Sequence, residues 1–289
     1  QAFHLSALQM GLISAFYFLA DSILLYPVGY LLDRFSSYRL MILGMVLCII
    51  GTFLVAFATN PWFLVLSRML AGIAGAFCLL SILRLAASWF SAEHMAKITG
   101  VVITIGMLGG AISQAPLSYL ILHFGWRSAL FDVGVLGLVL LVAIVFLVKE
   151  APLTNSHAPC DRKALGWQDF WGTLWSLMSS GKNWLIGFYI CTMNLPLLVI
   201  SGLFGTLMMV QAFGMTETQG STISMMPFLG TIVGSSFWGF YSDYCQRRRR
   251  PMIFGAVVSL AILSWVVWGS SQSLWVMLIL FFFLGFFSA

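Results

Sequence analysis

Gly29-Tyr30-Leu31-Leu32-Asp33-Arg34-Phe35-Ser36-Ser37-Tyr38-Arg39 is the stretch on which the reading of this chain turns. It lies where one long apolar run stops and another begins, so its charges form a short turn between hydrophobic segments. A related pattern returns as Gly239-Phe240-Tyr241-Ser242-Asp243-Tyr244-Cys245-Gln246-Arg247-Arg248-Arg249. In both, Asp follows Gly by four residues and Arg follows Asp by six. Two charged turns of one pattern, each between apolar runs, imply a duplicated membrane protein.

Composition supports that reading. The 289 residues are 61% hydrophobic and 8% charged, and the mean hydropathy is +0.99. A soluble domain carries about 25% charged residues, and apolar runs of about 20 residues are the length of a bilayer-spanning helix. Runs such as Val133 to Val148 carry no polar side chain, which excludes the polar–apolar alternation of a transmembrane β-barrel. The expected fold class is therefore all-α, a polytopic helical bundle. The net charge of +5 is explained by placement at helix ends rather than by nucleic-acid binding. Cys48, Cys78, Cys160, Cys191 and Cys245 are scattered, without CxxC or metal-ligand spacing. Cys48, Cys78 and Cys191 fall in apolar runs and read as buried small hydrophobes. No nucleophile triad, metal cluster or phosphate-cradling loop is present, so neither an enzyme, a cofactor, a metal nor an ATP-driven pump is expected. The chain starts at Gln1 and stops beside the apolar Phe281-Phe282-Phe283, and it reads as a piece of a longer protein.

About nine spanning segments can be drawn: Leu8–Leu32, Leu40–Ala58, Trp62–Trp89, Ala96–Leu122, Ser128–Val148, Trp184–Phe213, Thr218–Tyr241, Pro251–Trp268, and Leu274 onward. Links holding Arg34/Arg39, Lys97, Lys149/Arg162/Lys163/Lys182 and Arg247–Arg250 alternate with links almost free of Lys and Arg. The positive-inside rule then makes the basic links cytoplasmic. Three parts follow: an N-terminal half, 1–148; a linker, 149–182; and a C-terminal half, 183–289. In the linker, Trp167, Phe170, Trp171, Leu174, Trp175 and Met178 recur at helical spacing with polar residues between them. That is an amphipathic helix, lying either in the headgroup region or packed as a soluble helix under the bundle.

These motifs resemble the major facilitator superfamily of secondary transporters, whose signature is Gly-x-x-x-Asp-Arg followed by paired basic residues. Gly29, Asp33, Arg34 and Arg39 match it, with Ser36 where the family usually has a second Gly. The downstream copy keeps Gly239, Asp243, Arg248 and Arg249, with Tyr244 and Gln246 replacing the first Arg and the second Gly. Arg68-x-x-x-Gly72-x-x-Gly75, the glycines Gly106, Gly109 and Gly110 with Pro116, and Gly125-Trp126-Arg127 match further segments. The resemblance implies a multi-pass integral membrane protein, such as one of a bacterial inner membrane, carrying a small molecule with protons by alternating access. By its register the chain holds about the second to the tenth of twelve helices. The oligomeric state stays open, with a monomer compatible.

Candidate working residues follow from cost. An ionisable side chain deep in a span is expensive and faces protein or water. Asp21 lies twelve residues before Asp33, about 18 Å along the helix, with Ser14 and Tyr17 on its face. It reads as a proton-titrating carboxylate or as an acid paired with an Arg for folding. Arg68 lies about two turns into its helix beside small residues, and the resemblance links it to proton coupling; a structural Arg bonded to backbone carbonyls is the plain alternative. Arg84, sixteen positions on, is turned about 160° from Arg68 and either faces the cavity or snorkels to the surface. Gln114 with Pro116 and Asn194 with Pro196 are candidate cavity amides, because Pro frees backbone carbonyls that must be satisfied. Trp62, Trp89 and Trp126 read as interface anchors, and Asp132 as a charge partner of Arg127. Gly29 is expected to admit a neighbouring helix, and Asp33 to receive a helix N-terminus or an Arg from the other half, closing a cytoplasmic gate. The expected function is a secondary transporter of a small polar organic solute, of amino-acid, peptide or carboxylate type. The alternatives are a drug or metabolite exporter and a non-transporting receptor on the same fold.

Overall fold

The computed structural model describes residues 6–149, 167–245, 249–268 and 273–288. Every regular element among them is helical: α1 (Ala7–Arg34), α2 (Ser37–Ala56), α3 (Pro61–Trp89), α4 (Ala92–Ile112), α5 (Ala115–Phe124), α6 (Trp126–Leu147), α7 (Trp167–Ser179), α8 (Gly181–Pro196), a π-helical segment (Leu197–Phe204), α9 (Gly205–Phe213), α10 (Glu217–Cys245), α11 (Arg249–Trp268) and α12 (Leu274–Ser288). Among the described residues, six spans are long and apolar enough to cross a bilayer, with Met252–Val266 and Leu274–Ser288 as shorter apolar helices.

Local chemistry sets the boundaries. Ser6 and Gln9 cap α1 reciprocally, with bonds of 2.9 and 3.3 Å. Ser36 stands at the signature's second Gly position, and its hydroxyl accepts from the Arg39 N–H at 3.4 Å to start α2. Asn60 caps α3 ahead of Pro61 at the first helical position. Two spans are broken. The expected continuous segment Ala96–Leu122 ends at Ile112 and restarts at Ala115, because Pro116 has no N–H to donate into the preceding turn. After Pro196 the backbone widens into the π segment, a rare geometry that often marks functional positions.

The chain forms two compact units. The first comprises Gln1–Thr99 and His123–Leu177, the second Gly100–Leu122 and Met178–Ala289. Gly100–Leu122 thus packs with the second unit, whereas the sequence places it in 1–148. In the first unit α3 packs on both α1 and α2, and α6 packs on α2. Val28, Leu32, Leu40, Ala76 and Phe77 form its core, so the residues flanking the signature turn are seated on α3. In the second unit α10 lies against α12. A Cβ on Gly230 would overlap the Phe282 carbonyl, and one on Gly285 would overlap that of Pro227, so small residues set this approach. A Cβ on Gly110 would lie 2.7 Å from the Phe228 ring. The π segment and α9 also pack on α10, over a core of Met209, Ile223, Val266, Met277 and Phe281.

Three expectations change. Cys48 and Cys78 are half-buried, but Cys191 is exposed, on a helix that has no buried residue. Arg127 stacks 4.6 Å from the Trp126 ring and donates to the Ala58 carbonyl at 3.2 Å, and no ion pair joins it to the exposed Asp132. Gly29, expected to admit a neighbouring helix, has no atom of a described residue within 4 Å of its Cβ position. Cys160, Arg162, Lys163 and Arg248 lie outside the described residues.

Candidate functional site

The chemistry gathers where α1 lies against α3, inside the first unit. At Gly72 the two helices come so close that a Cβ would overlap the Tyr17 backbone carbonyl and lie 3.1 Å from both Ala20 Cβ and Asp21 N. Only a residue without a side chain admits that approach. One turn on, a Cβ at Gly75 would sit 3.1 Å from the Tyr17 hydroxyl oxygen and 3.4 Å from Asp21 Oδ1. The phenol and the carboxylate therefore converge over one bare patch of α3 backbone, near the middle of a 28-residue helix.

Arg68 lies seven residues before Gly75, about 10 Å along α3. Tyr17 is within electrostatic reach of both Asp21 and Arg68. Asp21 and Arg68 form no ion pair with each other or with another described residue. Arg68 makes no hydrogen bond to a described residue either, and it is exposed, while Asp21 and Tyr17 are half-buried. The arrangement offers a carboxylate able to take or release a proton, a guanidinium fork able to hold an anion, and a hydroxyl able to donate or accept between them.

A second cluster sits at the end of α1. Arg84 Nη1 donates to Asp33 Oδ1 at 2.7 Å. Arg84 is thus brought to the signature turn, not to Asp21, and Asp33 receives an Arg from within its own unit. The register explains it. Asp33 lies twelve residues beyond Asp21, and Arg84 nine beyond Gly75, on helices that run the same way. Arg34 lies 4.8 Å from the Tyr30 ring. Both partners of the Asp33–Arg84 pair are well exposed, with 45% and 34% side-chain accessibility, so it is worth at most about 1 kcal/mol. If the turn is a gate, Arg84→Ala should leave thermal stability unchanged. It should shift the population open on that side by up to roughly fivefold, read as the labelling rate of a cysteine placed near Asp33. Unaltered labelling would make the pair a local tether.

The remaining candidates lie in the second unit. Gln114 occupies the break between α4 and α5, its N–H donating to Ala111 O at 3.1 Å and its carbonyl accepting from Ser118 N at 3.0 Å. Asn194 turns its side chain onto its own helix, Nδ2 donating to Ile190 O at 3.0 Å. Gly239 and Asp243 lie in α10 and Arg249 opens α11. Sequence reasoning missed a file of buried hydroxyls on α10, Ser221, Ser224 and Thr231. Ser224 Oγ lies 3.4 Å from Thr206 Oγ1, and the buried Ser201 hydroxyl in the π segment has no partner among the described residues. Spacings of three and seven put the α10 hydroxyls on one face, a signal that was there to find.

The family model described as Major Facilitator Superfamily matches residues 1–205 and 197–289. The chain is 25% identical over 271 residues to the hexuronate transporter of Bacillus subtilis, covering 89% of this chain and 61% of that protein. It is 23% identical over 268 residues to the membrane sensor protein UhpC of Salmonella typhimurium, covering 88% of this chain and 61% of that one. The crystal structure of a D323A mutant of the nucleoside transporter NupG has a similar fold, with a TM-score of 0.62 at 13% identity, over 98% of this chain and 71% of that chain. The chain thus spans about three-fifths of the length of these curated relatives.

Proposed function

The chain belongs to the Major Facilitator Superfamily, as a multi-pass integral membrane protein, and from that premise we propose that the full-length protein is a secondary transporter of a small organic anion, coupled to protons through Asp21. The parts 1–148 and 183–289, joined by 149–182, act in this reading as the two halves of an alternating-access carrier. The observation that carries the reading is the Tyr17–Asp21 pair over Gly75, with Arg68 about 10 Å away along α3. A carboxylate in mid-span with no ion-pair partner is costly unless it exchanges protons. An arginine without an ion pair is ready to take a carboxylate in a bidentate grip. Arg84, engaged by Asp33, is not available for that role. The hexuronate transporter's name supports a sugar-acid or similar carboxylate as substrate.

A second reading is a membrane receptor that binds the same class of anion without moving it, favoured by the likeness to a protein named as a membrane sensor. Counterflow separates the two. Full-length protein in proteoliposomes loaded with a hexuronate should accumulate labelled hexuronate transiently, and neutral hexoses should not compete. Binding without counterflow under any gradient would establish the receptor instead.

A further inference from the structure

Helix α6 is ended by side chains of its neighbours. A helix leaves its last four carbonyls without an intrahelical donor, and the usual local stop is a glycine in the left-handed region. Here Leu147 is followed by Val148, Lys149 and Glu150, and Pro152 disfavours helix only from Ala151 on. Val148 instead turns extended, at φ −87° and ψ 125°. Two donors from other helices meet that end. The Tyr38 hydroxyl donates to the Val145 carbonyl at 3.1 Å, and the Trp89 indole N–H donates to the Lys149 carbonyl at 3.2 Å. Trp89, which reads from sequence as an interface anchor, thus turns its polar edge to protein.

Tyr38 belongs to the signature turn itself, and Trp89 is the last residue of α3, five beyond Arg84. With the Asp33–Arg84 pair, these bonds close a ring inside the first unit. It runs from α1 to α3 through Arg84, and from α3 to the end of α6 through Trp89. Tyr38 then carries it from α6 to the start of α2, and the turn leads back to Asp33. Lys149 is also the first residue of the linker 149–182. Members of one closed network are not independent, so breaking one contact loosens the others.

We propose that Tyr38 and Trp89 form a latch that fastens the start of the linker to the signature turn, and that loss of the Asp33–Arg84 pair releases it. The linker's first residues are held while Asp33 is paired and freed when it is not. The device needs no bound solute, so it serves a carrier and a receptor alike.

Hydrogen exchange of the full-length protein in bilayer nanodiscs tests this, read at the amides of 145–149. The Val148 N–H, bonded to the Ile144 carbonyl at 3.0 Å, is the reporter. Four forms complete a cycle: wild type, Arg84→Ala, Tyr38→Phe with Trp89→Phe, and all three together. Each Phe keeps a ring and removes the donor. The Phe pair should speed exchange at the α6 end about fivefold or more, the worth of one neutral hydrogen bond. Arg84 bonds to α1, yet Arg84→Ala should speed exchange at the α6 end by at least about twofold, and should add nothing once the Phe pair is present. By linkage, the Phe pair should raise the labelling rate of Phe35→Cys, a position 54% exposed two residues from Asp33, in the same direction as Arg84→Ala does.

Exchange that the Phe pair leaves unchanged would show that the two bonds do not hold the α6 end, and would overturn the latch. Exchange that answers to the Phe pair but not to Arg84→Ala would reduce the bonds to a local cap, with the same consequence. So would effects that multiply independently in the triple variant. Trp62→Phe removes a 75% exposed indole from the opposite end of α3 and should leave exchange at 145–149 as it was. Equal acceleration there would trace the effect to lost interfacial anchoring and overturn the latch. If Arg84→Ala misfolds, Asp33→Asn breaks the same pair from its other side and takes its place in the cycle.

Discussion

Asp21→Asn is expected to abolish proton-driven accumulation of the substrate while sparing its exchange. The carboxylate and Arg68 act on the anion with opposite sign, and they are separated along the helices by about 10 Å. A charge at that distance, at an effective dielectric near 20, contributes about 1.7 kcal/mol. When Asp21 loses its proton, the anion held by Arg68 is repelled by roughly that amount, and its affinity falls by more than about tenfold. The sign is therefore fixed: protonation of Asp21 favours anion binding, and affinity should rise as the pH falls. Asn keeps the shape and removes the titration. The variant should bind the anion with the tighter affinity at every pH, and the pH dependence of Kd should vanish. Counterflow should persist, since exchange needs no net proton movement, while uptake against a gradient should fall to the passive limit. Driven uptake that survives unchanged would make Asp21 structural.

The fold was legible because its determinants are local. The apolar runs of α1, α2 and α3 end within a few residues of the observed boundaries, each at a capping Ser or Asn that the sequence displays. The break at Ser113–Gln114 and the π segment were less so. Pro116 and Pro196 announce a weakened ladder, but whether the backbone breaks, kinks or widens depends on what packs against it, here Phe228 against Gly110 and Ser224 against Gly205.

The candidate residues could be picked out in the sequence, but their pairings could not. A costly acid at Asp21 with Tyr17 one turn before it is a one-helix argument, and the two side chains do converge. That they converge on Gly75 is a property of two helices, set by the close approach at Gly72. Arg84 shows the same limit. Helical phase separates it from Arg68, but only the depth of α1 beside α3 brings it to Asp33.

Arg68→Gln should produce the largest loss of substrate affinity. An arginine–carboxylate contact is charge-assisted and bidentate, and hydrogen bonding to a charged group is worth about 1.5–3 kcal/mol, or roughly 10- to 100-fold in Kd. Arg68→Lys keeps the charge and loses the fork, so it should recover part of that loss and settle near tenfold. These values separate the two readings of Arg68 left by the sequence. An arginine that holds the fold by bonding backbone carbonyls would, on removal, lower the thermal midpoint of the ligand-free protein. Arg68 makes no hydrogen bond or ion pair with a described residue and is exposed, so Gln should leave that midpoint nearly unchanged. The stabilisation that saturating anion gives the wild-type protein should instead disappear, because ligand stabilises in proportion to its affinity. A variant that melts early yet binds the anion normally would return Arg68 to a structural role and move the anion site elsewhere.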